Sequence, residues 1–88
     1  MAQHEKIVVY TTGNCPYCVA AKTLLTRENY KFSEVDVTEP DLRMMLVKKA
    51  GGRKTVPQIF IGDLHVGGFD DLQAMFKSGE LENLMSED

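Results

Sequence analysis

The sequence predicts an α/β fold: a mixed four-stranded sheet flanked by helices, in the order β-α-β-α-β-β-α plus a short C-terminal helix. Three observations carry this. Short runs rich in β-branched and aromatic residues alternate with longer segments whose apolar residues recur at helical spacing. Such alternation calls for parallel strand pairing through right-handed crossovers. The dipeptide Gly62-Asp63 then joins the last two strand-like runs as a tight hairpin, which adds an antiparallel edge. A chain of 88 residues is one domain's worth, so a single domain over residues 1–88 is expected.

The elements follow in order. Residues 6–11 contain Ile7-Val8-Val9-Tyr10 and read as a buried strand. Gly13-Asn14 is a turn. A helix starts near Cys15, with Pro16 in its first turn, where a missing N–H costs nothing. Val19, Ala20, Leu24 and Leu25 are its expected apolar face, and it runs toward Asn29. Residues 31–37 alternate as a second strand. Thr38 with Asp41 is the expected capped entry to a helix over residues 39–50, with Leu42, Met45, Leu46 and Lys49 as its amphipathic face. Gly51-Gly52 ends it. Val56-Pro57 opens a third strand, Gln58–Ile61, since proline is tolerated at a strand's start. A short fourth strand over residues 64–66 is broken by Gly67-Gly68. Asp70 or Asp71 caps a helix running through Lys77, and Gly79 divides it from a last helix, Glu80–Met85. The tail Ser86-Glu87-Asp88 is expected to be mobile.

Composition narrows the function classes. A hydrophobic content of 43% is ordinary for a soluble globule, and no apolar run is long enough to cross a bilayer. A net charge of −3 argues against a nucleic-acid partner, which needs a basic footprint. The polar start, Met1 to Lys6, is not followed by the apolar segment of a signal peptide, so a cytoplasmic location is expected. Lys48, Lys49, Arg53 and Lys54 cluster. They are either a solvated helix end favoured by the helix dipole or part of an anion site.

The chain has two cysteines, in Cys15-Pro16-Tyr17-Cys18. A structural disulfide works mainly by closing a long loop, and a reducing compartment would keep it open. A C-x-x-C beside a βαβ pattern reads instead as a redox pair. Cys15 falls at the N-cap or first residue of a helix, where unpaired N–H groups and the dipole favour an anion. The thiolate is that anion and is the reactive form. Cys18, one turn on, is more buried and suited to resolve rather than attack. Tyr17 offers a ring and a hydroxyl to a substrate. A zinc half-site would need two further ligands, and His4 and His65 have no useful spacing. Gly67-Gly68-Phe69-Asp70-Asp71 is a glycine turn feeding a helix N-terminus. It offers N–H donors to an anion, while Asp70 can accept from an ammonium; plain capping with Phe69 as core explains it equally.

Three segments in register, Cys15-Pro16-Tyr17-Cys18, Thr55-Val56-Pro57-Gln58-Ile59-Phe60-Ile61-Gly62 and Gly67-Gly68-Phe69-Asp70-Asp71-Leu72, resemble a dithiol (CPYC-type) glutaredoxin over nearly the whole chain. The resemblance implies a thioredoxin-like fold, no permanently bound cofactor, and glutathione as co-substrate. It implies that Cys15 attacks protein–glutathione mixed disulfides and that Cys18 attacks Cys15 when a protein disulfide is reduced. It implies a cis Pro57, with Thr55 and Val56 along the glutathione backbone, Gly68, Phe69 and Asp70 at its γ-glutamyl end, and Tyr17 beside the sulfur. Protein partners would be disulfide-containing or glutathionylated proteins, ribonucleotide reductase among them, served by a monomer. Many members carry a lysine three residues before the first cysteine; here it is Thr12. Glycyl-carboxylate binding would then lean on Arg43 and Lys54, with Arg53 and Gln58 as further candidates. Gly51-Gly52 makes this loop slightly longer than in close relatives.

Two other functions fit part of these features. An iron–sulfur carrier would bridge a cluster between two subunits through Cys15 and two glutathiones, which a proline after the first cysteine disfavours. A redoxin reduced by thioredoxin reductase would need no glutathione groove, which Asp70 and the basic residues favour.

Overall fold

The computed structural model describes residues 6–85. The elements are β1 (Ile7–Thr11), α1 (Pro16–Arg27), β2 (Phe32–Asp36), α2 (Pro40–Lys49), β3 (Gln58–Ile61), β4 (Leu64–Gly67), α3 (Phe69–Ser78) and α4 (Glu80–Met85). The strands stand in the order β2-β1-β3-β4. β1 runs parallel to β2 and antiparallel to β3, and β3 and β4 form the antiparallel hairpin. This is the mixed four-stranded α/β sheet that the sequence predicts. The expected mobile tail, Ser86-Glu87-Asp88, and most of the polar start lie outside the described residues.

Side-chain alternation along β1 builds two cores. Ile7 and Val9 face one side with Ile59 and Ile61 of β3, where Ala21, Leu24 and Leu25 of α1, Leu72 of α3 and Leu81 and Met85 of α4 cover them. Tyr10 faces the other side with Phe60, where Val37, Leu46 and Ala50 pack. Each fully buried leucine contributes about 2 kcal/mol of transfer free energy, and Leu25 and Leu72 are both 0% exposed. The first core clamps α1 against α3. That fixes the start of one helix beside the start of the other.

Three expectations about α1 and α2 are corrected. On α1 the buried face is Cys18, Ala21, Leu24 and Leu25, while Val19 is exposed; the turn of about 100° per residue carries Val19 off the Ala21–Leu25 stripe. On α2 Leu46 and Ala50 are buried, but Leu42, Met44 and Met45 face out, because only the second, smaller core lies beneath. The expected Thr38–Asp41 capping does not form. Glu39 is the N-cap without a side-chain bond, Pro40 starts the helix, and the Thr38 N–H donates to Asp36 Oδ1 at 2.8 Å.

The hairpin turn is Gly62-Asp63, and Gly62 has φ +59°, the positive value wanted at the first central position of a tight turn. Helix α3 begins earlier than expected. Gly68 is its N-cap, and Asp71 closes the cap from inside the first turn, accepting the Gly68 N–H at 3.0 Å. Glycine has no side chain to return the bond, so this is half of a capping box.

Candidate functional site

Cys15 is the N-cap of α1, with an extended backbone at φ −148° and ψ 99°. Pro16 supplies a preset φ to the first turn. The Val19 N–H donates to the Cys15 carbonyl at 3.2 Å, and the Cys18 N–H donates to Cys15 Sγ at 3.1 Å. The sulfur therefore takes the place that an N-cap oxygen usually fills. Cys15 and Cys18 are joined by a disulfide, with Cα atoms 5.2 Å apart. Cys15 is half-buried, whereas Cys18 is 2% exposed on the core side of the helix. An incoming sulfur reaches Cys15 before Cys18.

Beside Cys15 lies the loop between α2 and β3. The Val56–Pro57 bond is cis. The Val56 carbonyl oxygen sits 3.7 Å from Cys15 Sγ. In the disulfide that sulfur has no hydrogen, so this is a contact; a reduced Cys15 thiol would have an acceptor there.

From this point a cleft of about 460 Å³ opens, lined by Tyr17, Arg53, Thr55, Val56, Pro57, Gly68, Phe69, Asp70 and Asp71. Tyr17 is 62% exposed and its ring stacks on Phe69 with centroids 6.2 Å apart, so α1 and α3 share one aromatic wall. At the far end is the N-terminus of α3. The first-turn N–H groups of a helix have no intrahelical acceptor, which leaves donors at Phe69 and Asp70 for an anion. The Asp70 carboxylate is exposed beside them.

The cation in the cleft wall is Arg53. Its Nη1 donates to Asp71 Oδ2 at 3.3 Å, across the cleft from loop to helix. Both side chains are about half exposed, so the pair adds little to stability. The Gly68 N–H holds the Asp71 carboxyl below the ordinary carboxylate range; burial opposes it, and the bond to Arg53 and the Arg53 charge then add to the lowering. Gly67 makes this junction possible. Its φ is +120°, and a Cβ there would overlap the Asp71 carboxylate.

Two basic residues expected here are placed elsewhere. Arg43 donates from Nη2 to the Lys54 carbonyl at 2.8 Å, bracing the loop, and neither Arg43 nor Lys54 lines the cleft. The Gln58 amide is fully buried and bonded to Thr55 and His65, so it does not face a ligand. Asp71 is the cleft residue that sequence reasoning took only for a cap. Its signal was the spacing from Gly68, three residues, which sets an N3 carboxylate against the N-cap N–H.

The arrangement suits thiol–disulfide exchange: an accessible sulfur at a helix N-terminus, a buried partner one turn away and an open cleft beside them. The glutaredoxin family model matches residues 7–66. This chain belongs to the glutaredoxin family. A glutaredoxin from Pseudomonas aeruginosa is 51% identical over 81 residues, covering 91% of this chain and 95% of the relative. The solution structure of a glutaredoxin from Brucella melitensis superposes with a TM-score of 0.84 at 42% identity, covering 98% of this chain and 92% of that one. A buckwheat glutaredoxin–glutathione complex gives a TM-score of 0.82 at 27% identity, covering 92% and 76%. With its Cys15–Cys18 pair, the chain is a dithiol glutaredoxin of thioredoxin-like fold and a thiol–disulfide oxidoreductase.

Proposed function

We propose that this glutaredoxin uses glutathione as co-substrate to reduce protein–glutathione mixed disulfides and protein disulfides. The observation that carries the reading is the continuity of the cleft. It begins at Val56, whose carbonyl oxygen is 3.7 Å from Cys15 Sγ, and ends at a helix N-terminus with an adjacent carboxylate, Asp70. A short peptide with a thiol in its middle and an amino-acid end fits that order of groups. The γ-glutamyl carboxylate accepts from the Phe69 and Asp70 N–H groups, and its ammonium pairs with Asp70. Thr55 and Val56 pair with the middle of the peptide, Gly68 and Pro57 line its path, and Tyr17 flanks the sulfur. Arg53, which lines the cleft, is the cation available to a glutathione carboxylate in preference to Arg43 or Lys54. The buckwheat relative bound to glutathione supports the same reading.

The chemistry then balances in two steps. The Cys15 thiolate attacks the glutathione sulfur of a mixed disulfide, and the protein thiolate leaves and takes up a proton. A second glutathione thiolate attacks the glutathione sulfur on Cys15, which releases glutathione disulfide and restores the Cys15 thiolate. With a protein disulfide, Cys15 attacks one sulfur and Cys18 then attacks Cys15. The substrate leaves as a dithiol and the Cys15–Cys18 disulfide remains, to be reset by two glutathiones. Glutathionylated and disulfide-containing proteins in a reducing cytoplasm are the substrates of this reading, ribonucleotide reductase among them.

Reaction of an isotope-labelled Cys18→Ser variant with glutathione disulfide tests it. A mixed disulfide on Cys15, with backbone amide shifts at Val56, Phe69 and Asp70, is expected. An adduct whose shifts leave those three unmoved would contradict the placement.

A further inference from the structure

Gln58 is 0% exposed, and a buried primary amide needs partners for both its donors and its acceptor. Its Nε2 lies 3.0 Å from the Thr55 carbonyl oxygen and 3.2 Å from Thr55 Oγ1. A carbonyl only accepts, so the NH2 end of the amide faces Thr55. That turns Oε1 toward His65 Nε2, 2.6 Å away. An amide oxygen only accepts as well, so His65 Nε2 carries the hydrogen. The ring is fixed from its face by stacking on Phe60, with centroids 4.6 Å apart and planes at 17°. Burial, and after it the charge of Arg53, lower the His65 pKa, with Asp71 opposing, so the ring stays neutral at pH 7.

A relay thus runs from the β3–β4 hairpin through a buried amide to Thr55 at the rim of the cleft. We propose that Gln58 and His65 are positioning residues of this glutaredoxin: they hold Thr55-Val56 in the conformation that presents the Val56 main chain to a glutathione at Cys15. The proposal rests on the glutathione reading above. Its physical basis is the loop itself. Gly51 and Gly52 have φ of +68° and +97° and residues 51–55 are exposed; Arg43 braces the loop at Lys54 and the exposed Arg53–Asp71 pair ties it to α3, while at Thr55 itself the bonds come from Gln58. Ordering a residue costs conformational entropy, and a cleft formed only part of the time binds its ligand more weakly in proportion. Neither Gln58 nor His65 touches Cys15. Loss of the relay is therefore felt in substrate binding and not in the chemistry at sulfur.

The test compares wild type, Gln58→Leu and His65→Phe in turnover of a glutathionylated peptide with glutathione and glutathione reductase. Alkylation of reduced Cys15 by iodoacetamide across pH reports the thiolate separately. Gln58→Leu should raise the glutathione KM about fivefold, the weight of one neutral hydrogen bond, while kcat stays within about twofold. His65→Phe keeps the stack on Phe60 and should raise KM about twofold. Neither should move the alkylation profile. Long-range proton–nitrogen spectra of the wild type should show the hydrogen on His65 Nε2. If Gln58→Leu does not fold, His65→Phe and the tautomer decide. Saturation in wild type with the same KM in the variants overturns the relay alone. So does a hydrogen on Nδ1, or a parallel loss in kcat and alkylation. A wild-type rate that does not saturate in glutathione overturns the glutathione reading and the relay's role with it.

Discussion

Cys15 Sγ accepts the backbone N–H of Cys18 at 3.1 Å, so the two sulfur-bearing residues are tied through the helix as well as through their disulfide. Reduction leaves that donor aimed at Cys15, at the positive end of α1. A thiolate on Cys15 would accept from that donor at the helix end, a source of stabilisation independent of the lysine that many members carry where this sequence has Thr12.

The two cysteines should therefore separate by substrate. Cys15→Ser should reduce turnover of a glutathionylated peptide to the uncatalysed rate. Cys18→Ser should lower it by less than about tenfold, because the mixed-disulfide route needs one sulfur. On a protein disulfide both variants should fail. Steady-state rates on the two substrates check this, and equal losses on the mixed disulfide would refute the division of roles.

Asp70 stands beside the open N–H groups of α3. Asp70→Ala should raise the glutathione KM about fivefold, a charge-assisted bond discounted for exposure, with a smaller change in kcat. An unchanged KM removes Asp70 from the cleft's binding groups.

Arg53 lines the cleft while Arg43 is spent on the Lys54 carbonyl. Arg53→Ala should raise the glutathione KM about threefold, with a steeper loss at low salt than at high salt. Lys54→Ala should do little. A larger effect from Lys54 than from Arg53 would place the cation that meets glutathione on the other side of the loop.

The acid limb of stability has a defined sign. Bonds to the Gly68 N–H and to Arg53 lower the pKa of Asp71; Lys22 and then Thr11 lower that of Glu34. A depressed carboxyl contributes stability above its unfolded pKa, and this is lost as pH falls through the folded one. His65, also depressed, adds the same sign, since the unfolded chain takes up its proton first. The Tm should begin to fall below about pH 6.5, where His65 contributes, and fall further between about pH 5 and 2, this lower limb being less steep in Asp71→Asn, whose amide oxygen can still accept from Gly68. Thermal melts across pH measure this, and parallel limbs would contradict the Asp71 contribution.

The sheet and the cysteine site were legible because each rests on near neighbours in sequence. Strand runs, the Gly62-Asp63 turn and the Pro16 helix start are local signals. The outward turn of Met45 was not legible, since what α2 packs against is decided by β3 residues such as Phe60. The pairing of Arg53 with Asp71, 18 residues apart, depends on α3 lying beside the α2–β3 loop. His65 read only as an isolated histidine. Its bond to Gln58 exists because the hairpin register, with His65 opposite Phe60, brings the ring back toward the buried amide.

The central claim is that the cleft beside Cys15 serves glutathione. Its most direct test is the rate of disulfide reduction with glutathione and glutathione reductase, run beside the same reaction with thioredoxin reductase. Turnover that saturates in glutathione, with little or none from thioredoxin reductase, is expected. Efficient reduction by thioredoxin reductase, with no saturable dependence on glutathione, would contradict it.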